Sequence, residues 1–150
     1  MLGLTATPDR TDRKDIFQLF DYNKVFEYTL NDAIDNGFLV PYTYYGLTDN
    51  IDYSNIRYNG SKYKIEDLDR ALIIPERNER IFDEYITKGC GNKALGFCCS
   101  IKHANEMAEL FNSKGIPAVA ITSETPDRDK VIKDFRQSVY TVAFTVDLFN

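Results

Sequence analysis

The sequence predicts an α/β domain built on a parallel sheet, and two observations support this prediction. Three short, uninterrupted apolar runs at 94–99, 118–121 and 142–146 have the length and the β-branched and aromatic content of strands that are covered on both faces. Helical periodicity fills the intervals between them. The order strand, helix, strand, helix, strand therefore indicates right-handed parallel crossover connections.

The helices of the second half have recognisable ends. Ser100 is predicted to cap a helix that Gly115 ends, and Thr125 followed by Pro126 is predicted to open the next one. A further helix, with Pro75 in its first turn, leads into the first strand. The apolar faces of these three helices are Ala104, Met107, Ala108 and Phe111; Val131, Ile132 and Phe135; and Ile81, Phe82, Tyr85 and Ile86.

The first half is less regular. Asp12 is predicted to cap a short helix that carries Ile16, Phe17, Leu19 and Phe20. Asn31 is predicted to cap another short helix, which Gly37 ends.

Two further elements follow. Residues 39–47 read as a strand that starts around Pro41. The stretch 49–64 is polar and rich in tyrosine, and Asn59-Gly60 within it is typical of a two-residue hairpin turn.

Composition excludes several classes of function. The 18 Lys and Arg residues against 23 Asp and Glu residues give a net charge of −5, so the chain does not bind nucleic acid through overall positive charge. Cys90, Cys98 and Cys99 lack zinc-ligand spacing and come with one histidine, which predicts reduced, buried thiols and no metal site. With no signal peptide and no long apolar run, we expect a cytoplasmic protein without membrane contact.

Polar residues follow the predicted strands. In open parallel sheets, ligands bind beyond the carboxyl ends of the strands. Residues 2–4 read as the end of a buried strand, and "TVDLFN" stops where a helix should begin, so we expect a fragment that is cut at both ends. The polar residues at the four strand ends are Thr5 and Thr7; Ser100 and His103; Thr122 and Ser123; and Thr145 and Asp147.

Several motifs resemble those of one family. "LGLTATPDR" resembles the third motif of superfamily-two helicases and translocases, in the form found in DEAD/DEAH-box helicases and the motor subunits of restriction enzymes. "KALGFCCSIKHANEMAELFNSKGI" is similar to the fourth motif with its helix, and "VAFTVDLFN" resembles the opening of the fifth. "IPERNERIFDEY" and "NDAIDNGFLVPYTYYG" resemble the segments between motifs three and four. The match follows the family's order over nearly the whole chain.

The resemblance implies a RecA-like fold, truncated at both ends. Residues 1–37 would be the end of a first motor domain, and 38–150 would be an incomplete second one with a tyrosine-rich hairpin insertion at about 49–64. Such motors hold ATP and Mg²⁺ between two domains and bind nucleic acid across both. Because the sequence contains no phosphate loop, no acidic magnesium motif and no sixth-motif arginine, we expect the chain alone to bind neither cofactor and to be inactive.

The resemblance also implies roles for individual residues. The third-motif residues Thr5, Ala6, Thr7 and Arg10 would couple the state of ATP to the domain interface. Asp147 would orient neighbouring loops as part of the fifth motif. Many relatives carry glycine where this chain has Ser123, which disfavours a close backbone approach there. The residues implied to contact the sugar-phosphate backbone are Ser100, His103, Thr122 and Thr145.

Simpler interpretations exist for each of these residues. Thr5 and Thr7 fit a turn before Pro8, Ser100 fits a helix cap, and His103 fits a solvated or capping position in the first helical turn. The tyrosines fit half-buried strand and hairpin positions better than base-stacking ones; they are Tyr42, Tyr44, Tyr45, Tyr53, Tyr58 and Tyr63.

Two classes of function remain open at this level, and a motor subunit of a restriction system would share the mechanism of the first. The first is part of an ATP-dependent helicase or translocase, with DNA favoured over RNA and a missing first motor domain as partner. The alternative is a non-catalytic α/β interaction module that retains the motor fold. Truncated sheet edges would favour self-association in either case.

Overall fold

The computed structural model describes residues 2–5, 15–48, 52–60 and 63–146, and the chain divides into two compact units, 1–49 and 50–150. The first unit contains a 3₁₀ turn and one helix, and the second contains a 3₁₀ turn, four helices and three strands, counted over the described residues. In chain order the elements are the 3₁₀ turn Phe17–Phe20, α1 Leu30–Asp35, the 3₁₀ turn Tyr53–Asn55, α2 Ile65–Leu72, α3 Pro75–Glu84 with a π-helical turn Tyr85–Gly89, β1 Ala94–Phe97, α4 Ile101–Ser113, β2 Ala118–Ile121, α5 Arg128–Arg136 and β3 Val142–Thr145.

The three strands form one parallel sheet in the order β1-β3-β2. Each strand lies at the position of a predicted apolar run, and the helices between them provide the crossovers, so the α/β prediction with a parallel sheet is confirmed. The finer RecA-like assignment stays a prediction.

The core lies between α3, α4 and the sheet. The Phe111 ring of α4 contacts Phe82 of α3 and Phe144 of β3 edge-on, with centroids 4.9 and 5.0 Å away. Gly96 of β1 pairs with Phe144, and a Cβ at Gly96 would overlap the Phe144 ring. A glycine in the edge strand therefore makes room for the aromatic ring of the central strand.

Burial differs between the strands. All four residues of β3 are buried, as expected for a central strand. In β1, however, Leu95 and Phe97 are 45% and 63% exposed. The prediction that every strand is covered on both faces is therefore wrong for β1, because the face that carries Leu95 and Phe97 is left exposed.

Helix α5 begins at Arg128, after the predicted start at Thr125 and Pro126. Thr125 does not open the helix, because its hydroxyl oxygen accepts from the Thr122 N–H at 2.8 Å and donates to the Ala120 carbonyl at 3.2 Å. Asp127 precedes the helix with φ of 45° and makes no side-chain cap. The predicted apolar face is only half-buried, and it consists of Val131, Ile132 and Phe135.

The caps of the first unit also differ from prediction. Thr29, not Asn31, caps α1: its hydroxyl accepts from the Asp32 N–H, and the Asp32 carboxylate accepts from the Thr29 N–H. Gly37 follows the helix end as predicted. Asp15 accepts from the N–H of Phe17 at the start of the 3₁₀ turn, whereas Asp12 lies outside the described residues.

Two predicted strands are not formed. Residues 39–47 and 2–4 have irregular backbone, and their large apolar side chains are exposed. A strand is held by ladder hydrogen bonds to a neighbour, and the described residues provide none for either segment. Tyr42 and Tyr44, 66% and 83% exposed, are therefore not half-buried strand residues.

The tyrosine-rich segment forms a minimal hairpin followed by an unpredicted helix. Tyr58 pairs with Tyr63 in an antiparallel bridge, and the Lys64 N–H donates to the Arg57 carbonyl at 2.9 Å. The bridge therefore pairs Tyr58 with Tyr63, whereas the predicted two-residue turn at Asn59-Gly60 would pair Tyr58 with Ser61. Helix α2 was missed although Ile65, Leu68 and Leu72 follow a helical spacing in the sequence.

No helix in the described part of the chain combines the length and the apolar character needed to cross a bilayer.

Candidate nucleic-acid interface

The polar residues after the three strands lie at one edge of the sheet. Phe97, Ile121 and Thr145 pair in register across the sheet. Ser100 and Thr122 follow β1 and β2, and Thr145 ends β3. The parallel arrangement thus groups at the carboxyl edge three hydroxyl residues that are more than twenty positions apart in sequence.

Ser100 caps helix α4, as predicted. Its hydroxyl oxygen accepts from the His103 N–H at 3.1 Å, and Ser100 is 8% exposed. The cap leaves the other free N–H groups of the first turn at the carboxyl edge, where a helix N-terminus favours an anion.

Thr122 and Thr145 are buried, but their hydroxyls differ. The Thr122 oxygen accepts from the Glu124 N–H at 3.2 Å and holds the turn after β2. The Thr145 hydroxyl has no hydrogen-bond partner among the described residues, and Thr145 is 0% exposed. In this conformation neither hydroxyl offers a surface to a ligand.

His103 is also buried, at 5% exposed, so the solvated interpretation of its side chain is wrong. Its Nδ1 lies 3.3 Å from Cys99 Sγ, which lies 3.6 Å from Asp69 Oδ1 of α2. A Cys99 thiol that donates to Asp69 can accept from the His103 ring N–H. His103 Nε2 is buried and has no partner among the described residues.

Burial determines the protonation of this cluster. Desolvation, with the positive charge of Arg77, lowers the pKa of His103, which favours a neutral imidazole. Burial also raises the pKa of Cys98 to about 12, and burial with the nearby Asp69 charge raises the pKa of Cys99. These thiols stay protonated at neutral pH.

The cluster does not have the geometry of a nucleophilic triad. In such triads the carboxylate accepts a hydrogen bond from the imidazole and orients it, whereas here Asp69 accepts from the Cys99 thiol. The raised thiol pKa argues against a thiolate nucleophile as well. Sequence reasoning missed this cluster, because Asp69 lies thirty positions before Cys99 on a helix that was not predicted.

The prediction of reduced, buried thiols is confirmed only in part. All three are free thiols; Cys98 and Cys99 are partly buried, whereas Cys90 is exposed, which contradicts the prediction of burial. No group of three or more His, Cys, Asp or Glu side chains in the described ranges is arranged to hold a metal ion.

An open depression of about 630 Å³ lies where β2 ends and α5 begins. Exposed Ser123, Arg128 and Lys130 form part of its lining, so this end of the carboxyl edge is accessible and carries two cations. Asp127 and Asp129 line it too and balance their charge. Sequence reasoning did not single out Arg128 and Lys130, although both follow a strand-end turn at a helix start.

The remaining predicted site residues lie in the first unit or outside the described residues. Thr5 lies in exposed, irregular backbone of the first unit. Ala6, Thr7, Arg10 and Asp147 lie outside the described residues.

Comparison with known proteins gives two relatives. The chain is 34% identical over 99% of its length to the "51.5 kDa protein" of Lactococcus phage (isolate 7-9), and it covers 33% of that protein. It is 31% identical over 71% of its length to the type I restriction enzyme EcoAI endonuclease subunit of Escherichia coli, covering 15% of that subunit. No protein-family model matches. The chain thus spans a third or less of the proteins it resembles, and part of it is similar to a restriction-enzyme subunit.

Proposed function

We propose that this chain is part of an ATP-dependent nucleic-acid helicase or translocase of the superfamily-two kind. The observation that carries the proposal is the carboxyl edge of the parallel sheet, where three strand ends and the capped N-terminus of α4 meet. Ligands of open parallel sheets bind at this edge. The motif resemblance and the similarity to a restriction-enzyme subunit support the same interpretation.

In this proposal the buried and exposed residues of the edge have different tasks. Buried Ser100 and Thr122 hold the loops after β1 and β2 by accepting hydrogen bonds from backbone N–H groups, and His103 and Thr145 are buried as well. Exposed Ser123, Arg128 and Lys130, with the backbone N–H groups of α4, contact sugar and phosphate oxygens. Contacts of this kind bind a strand without reading its sequence. We expect DNA to be preferred over RNA.

The other assignments belong to the complete motor. ATP and Mg²⁺ would be held with a first motor domain that supplies the phosphate loop and the acidic motif. Thr5, Ala6, Thr7 and Arg10 would couple the state of ATP to that interface, and Asp147 would orient the fifth-motif loop.

The proposal is tested by the affinity of the chain for a fluorescein-labelled oligo-dT, measured by anisotropy between 50 and 200 mM salt. We expect weak binding that falls steeply with salt, because each phosphate contact releases counterions. Arg128→Ala and Lys130→Ala should each weaken binding and reduce the salt slope by about one contact. Lys133→Ala is the matched control, because it removes the same charge further along α5, away from the carboxyl edge.

An affinity that does not change with salt concentration would contradict phosphate contacts at the carboxyl edge. So would a loss of affinity in Lys133→Ala that equals the loss in Arg128→Ala. The chain would then fit the alternative of a non-catalytic interaction module. One observation favours that alternative: the first unit exposes large apolar side chains typical of association surfaces, among them Val25, Phe26, Phe38 and Val40 at 76% or more.

A further inference from the structure

The hairpin of the second unit presents two aromatic rings to solvent. Tyr58 and Tyr63 face each other across the antiparallel bridge, with ring centroids 5.0 Å apart and planes tilted by 52°. They remain 57% and 52% exposed. Two adjacent tyrosines with open ring surface form a platform on which a flat ligand can stack.

The platform is held on helix α2. Arg57, next to Tyr58, donates from Nε to Asp67 Oδ2 at 2.6 Å and from Nη2 to Asp67 Oδ1 at 2.8 Å. The backbone N–H of Arg57 lies 3.3 Å from the same carboxylate. Side-chain and main-chain contacts thus fix the start of the hairpin, so the rings are positioned before a ligand arrives.

The same helix connects the platform to the carboxyl edge of the sheet. Asp67 contacts the hairpin, whereas Asp69, two positions further along α2, contacts Cys99 beside Ser100. Residues two apart point to roughly opposite sides of a helix. The platform and the edge therefore lie on two sides of a single helix, which is about 10–12 Å across.

We propose that Tyr58 and Tyr63 stack on bases of a single-stranded nucleic acid whose backbone passes the carboxyl edge. This inference rests on the proposed function and adds a second contact to it, of a different chemical kind. Among the described residues, the cations near the rings are matched by acids: Arg57 and Arg70 by Asp67, and Lys64 by Glu66. Stacking rather than net charge therefore supplies the affinity, and any base can provide it.

Alanine substitution measures the stacking. Tyr58→Ala and Tyr63→Ala should each weaken oligo-dT binding by roughly fivefold to a hundredfold, whereas Tyr58→Phe and Tyr63→Phe should bind like the parent chain. The loss should be the same factor at 50 and 200 mM salt. The loss caused by Arg128→Ala, in contrast, should shrink as salt rises.

Direct contact is visible by fluorescence, because the sequence contains no tryptophan. In Tyr63→Trp the single indole should be quenched by oligo-dT at the concentrations where anisotropy shows binding. Tyr140→Trp is the control, because residue 140 lies just before β3, at the opposite edge of the sheet. Its emission should not change.

The outcomes separate the two proposals. Salt-dependent binding without quenching of Tyr63→Trp, together with unchanged affinity in both alanine variants, would overturn the stacking platform and leave the phosphate-contact edge intact; the exposed rings would then fit a protein partner. No binding by the parent chain would overturn the proposed function and this inference with it. Far-UV circular dichroism of each variant shows that it is folded before affinities are compared.

Discussion

At the scale of single residues, the ion pair between Arg57 and Asp67 joins the start of the hairpin to helix α2. The Asp67 carboxylate is 7% exposed, and both of its oxygens accept from the guanidinium. This contact holds the pKa of Asp67 well below its usual range. Removing Arg57 would leave the buried Asp67 carboxylate without its partner, whereas the Arg57 side chain is 65% exposed and can be solvated.

The pair predicts a pH dependence of stability. Because the folded pKa of Asp67 lies below its unfolded value of about 3.9, the ionised carboxylate stabilises the fold above that pH. This contribution is lost as the pH falls through the folded pKa. Asp67→Asn should be less stable than the parent at pH 7, and the difference in free energy of unfolding should narrow below about pH 4. A difference that is constant from pH 7 to pH 3 would contradict the pair's role.

Thr145 predicts a substitution that stabilises the protein. Its buried hydroxyl lacks a partner among the described residues, so Thr145→Val keeps the shape and removes the desolvated group. We expect the free energy of unfolding in urea to rise by about 1 kcal/mol. Thr122→Val is the matched control and should destabilise, because it breaks the bond from the Glu124 N–H. If both variants change the free energy of unfolding in the same direction, the missing hydrogen-bond partner of Thr145 does not explain the change.

At the scale of elements, α4 illustrates how local signals define a helix. Ser100 caps the first turn with its side chain, and Gly115 follows the last turn with φ of 82°. Both signals act through neighbouring backbone, so both could be read from the sequence. The start of α5 could not, because Thr125 bonds instead to the end of β2.

A substitution at Gly115 tests whether the local backbone conformation ends α4, because it changes no packing contact. A Cβ at this position would touch nothing within 4 Å, so Gly115→Ala alters only the backbone preference at a left-handed φ. We expect a loss of about 1 kcal/mol in the free energy of unfolding. Gly46→Ala serves as control, because the φ of Gly46 lies outside the left-handed region. Equal effects at the two glycines would contradict a conformational cause.

At the scale of the whole molecule, the proposed function predicts that this chain alone does not hydrolyse ATP. The sequence contains neither the phosphate loop nor the acidic motif that position ATP and Mg²⁺. Phosphate release should stay at background with and without single-stranded DNA in a coupled assay. Turnover above background that Thr7→Ala abolishes would contradict the proposal.

The two units differ in how far sequence reasoning predicted them. In the second unit, the runs before Ser100, Thr122 and Val146 became strands because a packed helix and neighbouring strands satisfy both their backbones and their side chains. In the first, residues 39–47 have strand composition but no neighbour among the described residues. Composition indicates what a segment can form, whereas a partner decides whether it forms.

By itself, the sequence determined the α/β class, the alternation of parallel strands with helices, and both ends of α4. These features follow from apolar runs and from contacts between near neighbours in the chain. Only the tertiary structure decided which of the predicted contact residues are accessible. In the structure Ser100, His103, Thr122 and Thr145 are buried, whereas Arg128 and Lys130 are exposed. Two long-range contacts form as well, between Asp69 and Cys99 and between Asp67 and Arg57. Accessibility and long-range pairing depend on how separate elements pack against each other, and no local pattern encodes that packing.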